Sequence, residues 1–157
     1  MKILTPKDDL DNIERGEFTI FLAGGMGSPW RKELIGKLKD LPKLVVIDPS
    51  VDDWENEVGE QSANNPKFVK QTAWEHQGLN KSKVQVFYFD DTSIAPISLL
   101  ELGMFKTNNT VICLKDGYEK GGYVEYMSRR FGLPIEKSVE ALSALIHLKY
   151  YTLAKVG

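Results

Sequence analysis

Two glutamates, Glu101 and Glu75, are the side chains of this sequence best placed for bond-making chemistry. In Pro96-Ile97-Ser98-Leu99-Leu100-Glu101-Leu102-Gly103-Met104, helical spacing puts Glu101 on the face of Ile97, Leu100, Met104 and Phe105, because residues three and four apart share one side of a helix. A carboxylate there is partly desolvated, which is costly unless a partner or a reaction uses the charge. The alternative is a glutamate whose head reaches water past its neighbours. Glu75 follows Trp74 on a second helical stretch, just before Gly78 and Leu79. Two carboxylates converging on one pocket suit glycosidic chemistry: one attacks or stabilises an oxocarbenium-like carbon, and the other moves protons. For Glu75 simple surface exposure is the competing reading.

The elements that would position these groups alternate along the chain. Phe18–Ala23, Leu44–Ile47, Val84–Phe89 and Thr110–Leu114 read as strands, with a fifth near Leu133–Glu136. Between them, helices are expected from Pro29 to about Leu41, with Ser28 as N-cap, from Phe68 to Asn80, from Pro96, from Val124 to Phe131, and from about Ser138 to Ala154. Residues 51–66 carry acids and amides without a period and read as a loop with at most one helical turn. Short strands alternating with helices imply βαβ units, right-handed crossovers and a doubly wound α/β sheet of four to five parallel strands covered on both faces.

In such a sheet the loops after the strands share one edge, where ligands bind. Gly24-Gly25-Met26-Gly27-Ser28 follows the first strand; its glycines would let a ligand approach the backbone, and the helix start would offer N–H groups to an anion. It fits neither a Walker motif nor G-x-G-x-x-G, and a tight strand-to-helix turn explains it equally. Asp48-Pro49-Ser50 and Asp52-Asp53-Trp54 follow the second strand, where acids could hold sugar hydroxyls and Trp54 could stack on a base, or form only an acidic surface loop. Asp90, Asp91, Thr92 and Ser93 follow the third, and the glycine-rich segment Lys115–Tyr123 the fourth.

The bulk properties narrow the function class. The 157 residues amount to about one domain, and 42% hydrophobic with 27% charged residues is an ordinary globular composition. A net charge of −2 argues against a nucleic-acid polymer or an anionic membrane as partner. Cys113 lies in the apolar run Thr110–Leu114 and reads as a core thiol, while His76 and His147 are far apart; no disulfide framework, metal site or cofactor is expected. No signal-peptide pattern or long apolar run is evident, so a cytoplasmic protein is expected.

Taken together, Phe21-Leu22-Ala23-Gly24-Gly25-Met26-Gly27 with Trp30, Ile47-Asp48-Pro49, Gln71-x-x-Trp74-Glu75 and Pro96-Ile97-Ser98-Leu99-Leu100-Glu101-Leu102-Gly103 resemble the nucleoside 2-deoxyribosyltransferase family over about residues 18 to 132. The resemblance implies a flavodoxin-like fold and cleavage of the N-glycosidic bond of 2′-deoxynucleosides, with the deoxyribosyl group passed to another base or to water. It implies Glu101 as nucleophile, Glu75 as the acidic residue that positions the base and moves its proton, and Gly24-Gly25 as backbone lining the nucleoside site. Related hydrolases of deoxynucleoside monophosphates use that loop around the phosphate. Where the family commonly has an aspartate for the sugar hydroxyls, this sequence has Ala95, and Asp90, Asp91 or Ser93 would have to substitute. Lys120 and Tyr123 stand where arginine and asparagine are common. A small-molecule nucleoside or nucleotide is thus the expected partner, through Gly24, Gly25, Met26, Trp30, Asp48, Trp54, Asp90, Ser93 and Tyr123. The apolar run Leu145–Tyr151 and the family's subunit pairing add a homo-oligomer. A non-catalytic nucleotide-binding module is the alternative, and a flavin electron carrier a weaker one.

Overall fold

In the computed structural model, which describes residues 1–154, six parallel strands form one sheet. They are β1 (Lys2–Leu4), β2 (Phe18–Gly24), β3 (Leu44–Ile47), β4 (Val84–Phe89), β5 (Val111–Leu114) and β6 (Ile135–Glu136), in the order β1-β3-β2-β4-β5-β6. Without β1, the order of the remaining five is the flavodoxin-like one. The helices are α1 (Trp30–Lys37), α2 (Trp54–Glu57), α3 (Pro66–Lys81), α4 (Pro96–Phe105), α5 (Gly121–Phe131) and α6 (Val139–Leu153). No described helix is long and apolar enough to cross a membrane.

Alternation along each strand divides the core into two layers, as a pleated strand sends successive side chains to opposite faces. Phe18, Ile20, Leu22, Val46, Val86 and Val111 pack with α1 and α6, through Trp30, Leu34, Leu142, Ile146 and Tyr150. Phe21, Ala23, Ile47, Phe87, Phe89 and Ile112 pack on the opposite face with Leu79 of α3, Leu102 of α4 and Val124 of α5. The sheet is buried on both sides, which explains why its strands read as continuous apolar runs. Gly78 lets α3 approach closely, since a Cβ there would stand 2.9 Å from the Phe21 ring.

Two expectations need correction, and two are sharpened. The sheet has six strands rather than four or five: the fifth is found as β6, and β1 adds an edge strand paired Lys2↔Val45 to Leu4↔Ile47. Ser28 does not cap α1; Pro29 holds the N-cap position without a side-chain bond, and the Ser28 hydroxyl donates to Asp90 Oδ2 at 2.6 Å. The run Leu145–Tyr151 is divided between core and surface, with Ile146 and Tyr150 buried and Leu148 and Tyr151 exposed. Residues 51–66 hold one helical turn, α2, whose N-cap Asp53 accepts from Asn56 N.

Candidate functional site

Strand order reverses between β2 and β4, the position where a crevice opens at the carboxyl edge of such a sheet. A cavity of about 650 Å³ lies there. Its walls are the end of β2 (Ala23, Gly24) with Met26, Arg31 of α1, the segment Pro49–Trp54, α3 through Phe68, Thr72, Glu75 and His76, and α4. Ile97, Leu100, Met104 and Phe105 of α4 line it beside Glu101 and Ser98. The apolar face singled out by spacing is therefore a cavity wall: Leu100 and Met104 are mostly exposed, while Leu102 on another side of α4 packs toward the sheet.

Glu101 is only 6% exposed and accepts no hydrogen bond from any described residue. Burial, and then the charge of Glu75, push its carboxyl up to about 7, against the pull of the Arg31 guanidinium. Glu75 lies on the same cavity and accepts from Gln71 Nε2 at 2.7 Å, and burial raises its carboxyl above the ordinary range as well. Gln71, itself buried, also donates to Pro49 O at 3.2 Å and so ties α3 to the loop after β3. Desolvation makes the protonated form cheap, and a neighbouring like charge separates the two ionisations. Such a pair can offer one ionised and one protonated carboxyl near neutral pH, the condition for nucleophilic attack beside proton donation.

The other candidate residues divide clearly. Gly24, Met26 and Trp54 line the cavity. Trp30 does not: it is a core residue, its ring stacked 4.6 Å from Tyr88 and its indole N–H donating to Gly25 O at 3.0 Å. Asp48 sits behind the wall with Oδ1 3.4 Å from Arg31 Nε and accepting from Ser50 N. Both oxygens of Asp90 are taken, Oδ1 by the amide and hydroxyl of Thr92 and Oδ2 by Ser28. Ser93 Oγ accepts from Ala95 N at 3.1 Å. Tyr123 borders a separate cavity of about 200 Å³ between α4 and α5. The expected stand-ins for a sugar-binding aspartate, Asp90 and Ser93, thus serve the protein's own loops. Ala95 occupies that position in a left-handed conformation at φ 44°.

The glycine loop is built for contact between loops. A Cβ on Gly24 would lie 2.5 Å from Tyr88 O, one on Gly25 2.8 Å from Ser93 Cβ, and one on Gly27 2.5 Å from Thr92 Oγ1. Gly25 and Gly27 do not line the cavity; their small size lets the loop after β4 close over them. Among the described residues, no group of three or more His, Cys, Asp or Glu is placed to hold a metal. Sequence reasoning missed Arg31, Ser98, His76 and Thr72. The available signals were Ser98 three residues before Glu101, His76 beside Glu75, and a basic residue opening the helix after the glycine loop.

The family described as "Nucleoside 2-deoxyribosyltransferase like" matches residues 17–118, more than half of the chain, and spans β2 through the loop after β5. The chain belongs to the nucleoside 2-deoxyribosyltransferase-like family. A solved structure, "Crystal structure of conserved protein from Enterococcus faecalis V583", is 12% identical and superposes with a TM-score of 0.50, covering 85% of this chain and 99% of that one. At that identity it shows the shared α/β fold alone. No curated protein matches the chain.

Proposed function

We propose that this family member cleaves the N-glycosidic bond of a 2′-deoxynucleoside or its monophosphate by double displacement. In the first step an oxygen of ionised Glu101 bonds to C1′ as the C1′–N bond breaks. The bond's electron pair leaves with the base, and Glu75 supplies the proton that neutralises it, the pair's single proton having moved to Glu75 from Glu101, its more basic site. In the second step a second base, or water, bonds to C1′ and the ester breaks. Glu101 is restored and Glu75 takes the acceptor's proton. Splitting one difficult displacement in two is the gain of covalent catalysis. The observation that carries this reading is the unpartnered carboxylate of Glu101 on the wall of a cavity that also holds Glu75. Trp54, Phe68, His76 and Phe105 offer aromatic surface for the base, and Gly24, Met26 and Ser98 stand near the reacting end. No cofactor enters the scheme.

The test is multiple-turnover release of base from a panel of deoxynucleosides and monophosphates, with and without a second free base, followed by chromatography. Glu101→Ala should lose turnover while keeping the fold, and a deoxyribosyl adduct should map to the peptide bearing Glu101 in the native chain. Wild-type turnover by Glu101→Ala excludes the role. A second reading draws support from the loops: Asp48 and Asp90 are spent on protein contacts and are not offered to sugar hydroxyls. A binding module on the same cavity would show stoichiometric binding without turnover. Self-association belongs to the proposal through exposed Leu148 and Tyr151 of α6; sedimentation showing only monomer removes it.

A further inference from the structure

Arg31 is an expensive residue to keep where it is. Its side chain is 10% exposed, on a chain where arginine ordinarily reaches water. Its guanidinium bonds run to backbone rather than to a carboxylate: Nη1 donates to Gly25 O at 2.9 Å, and Nη2 donates to Gly24 O at 2.8 Å and Leu22 O at 3.3 Å. Nε is fully buried without a hydrogen bond, its nearest acceptor being Asp48 Oδ1 at the 3.4 Å ion-pair distance. The guanidinium carbon lies 4.5 Å from the Trp30 ring centroid. All of this holds a cation in the wall of the cavity that Glu101 and Glu75 also line.

We propose that Arg31 is a positioning residue for the carboxylate pair, anchoring the Gly24–Gly25 turn by its carbonyls while holding a cation in the wall of the cavity that Glu101 and Glu75 line. The inference rests on the proposed glycosidic reading for its catalytic meaning, though not for its physical content. Three consecutive-region carbonyls held by one rigid fork leave the turn little freedom, and a planar guanidinium does this where an ammonium cannot. The same fork, occupied by backbone, is not free to form a direct bidentate pair with Glu101. The carboxylate therefore receives the field of the cation without being locked or neutralised by it. The charged and titratable groups bordering the pair are few. From α1 there is Arg31, from the end of β3 Asp48 behind it, from α3 Glu75 and the imidazole of His76. Among the described lining residues Arg31 is the only cation. Burial and Glu75 push the Glu101 carboxyl up, and Arg31 opposes them.

The experiment follows the carboxyl carbon of Glu101 by 13C NMR across pH in the whole chain, assigned by its loss in Glu101→Gln. Native protein should titrate near 7. In Arg31→Gln the midpoint should move up by at least about 0.5 pH unit, the direction expected for removing an opposite charge from the same cavity wall. Should that variant fail to fold because Asp48 is left unpaired, Arg31→Gln/Asp48→Asn removes both charges together and should move the midpoint in the same direction. Arg31→Lys keeps the charge and loses the fork: its midpoint should stay within about 0.3 pH unit of native, while amide exchange at residues 24–28 accelerates. The alkaline limb of kcat/KM, where the pair loses its last proton, should follow the NMR midpoint in every variant that keeps Glu75. A Glu101 midpoint in the charge-free variants that stays within about 0.3 pH unit of native overturns the proposal. Because this readout needs no substrate, absence of glycosidic turnover refutes the proposed function without touching it.

Discussion

Glu101→Gln should make the protein more stable as it makes it inactive, and the gain should depend on pH. The native carboxyl is raised from 4.5 to about 7 because burial and Glu75 penalise its charge. An acid raised on folding binds its proton more tightly in the native than in the unfolded chain, so native stability falls as pH climbs from about 4.5 to 7. Above that window the charge is present in both states, and at 1.36 kcal/mol per pH unit its confinement costs the fold about 3 kcal/mol. Glutamine keeps the shape and removes the charge. Urea denaturation should therefore find the variant more stable by about 2–3 kcal/mol at pH 8, with little difference at pH 4.5. In thermal melts that corresponds to an upward shift of about 5–10 °C at the higher pH. A difference between variant and native that is the same at both pH values, or a loss of stability at pH 8, refutes the idea that Glu101 is held as an unpaired buried charge.

Glu75→Gln removes the like charge beside Glu101, so the Glu101 midpoint followed by 13C NMR should move to lower pH, while turnover on poor leaving groups falls by about 10²–10⁴ from the missing proton donor. Gly24→Ala should destabilise by about 2–4 kcal/mol in urea titrations, because φ is +150° and the new Cβ would meet Tyr88 O at 2.5 Å. Deoxynucleosides should exceed their 5′-monophosphates by at least about tenfold in kcat/KM. The start of α1 already faces Asp90 through Ser28, neither residue lines the cavity, and the cavity's one cation is engaged; competition kinetics on nucleoside and monophosphate together would show it.

The strands that carry the site were legible because they are buried on both faces, and four- to six-residue apolar runs between polar loops have few other readings. Lys2-Ile3-Leu4 escaped because three residues at an edge leave no such run; Ile3 is exposed and only Leu4 is buried. Glu101 was legible by spacing alone, since a carboxylate among Ile97, Leu100, Met104 and Phe105 violates the pattern of its own helix. Arg31 was not, because an arginine near the start of a helix usually means solvent, and its burial depends on carbonyls donated by a turn whose path no local rule gives. The glycines were legible as a special turn and misleading about its cause. Their missing side chains make room for Thr92 and Ser93, contacts that cross from one strand's loop to another's.

That crossing explains where the polar residues went. Asp48 and Asp90, both on loops at the ligand edge, look from sequence like groups waiting for hydroxyls. Each is instead consumed in fixing a loop, Asp48 through Ser50 and Arg31, Asp90 through Ser28 and Thr92. Glu101 alone among these buried carboxylates is left without a donor. Its carboxylate lies on the cavity wall and is not among the fully buried polar atoms that lack a partner. Supplying a donor would lower the carboxylate's basicity and occupy the lone pair that has to reach a carbon. In this cavity Glu75 accepts from Gln71 and Arg31 donates to backbone carbonyls, while Glu101 has no such partner among the described residues. That distribution leaves the Glu101 carboxylate free for the attacking role proposed for it.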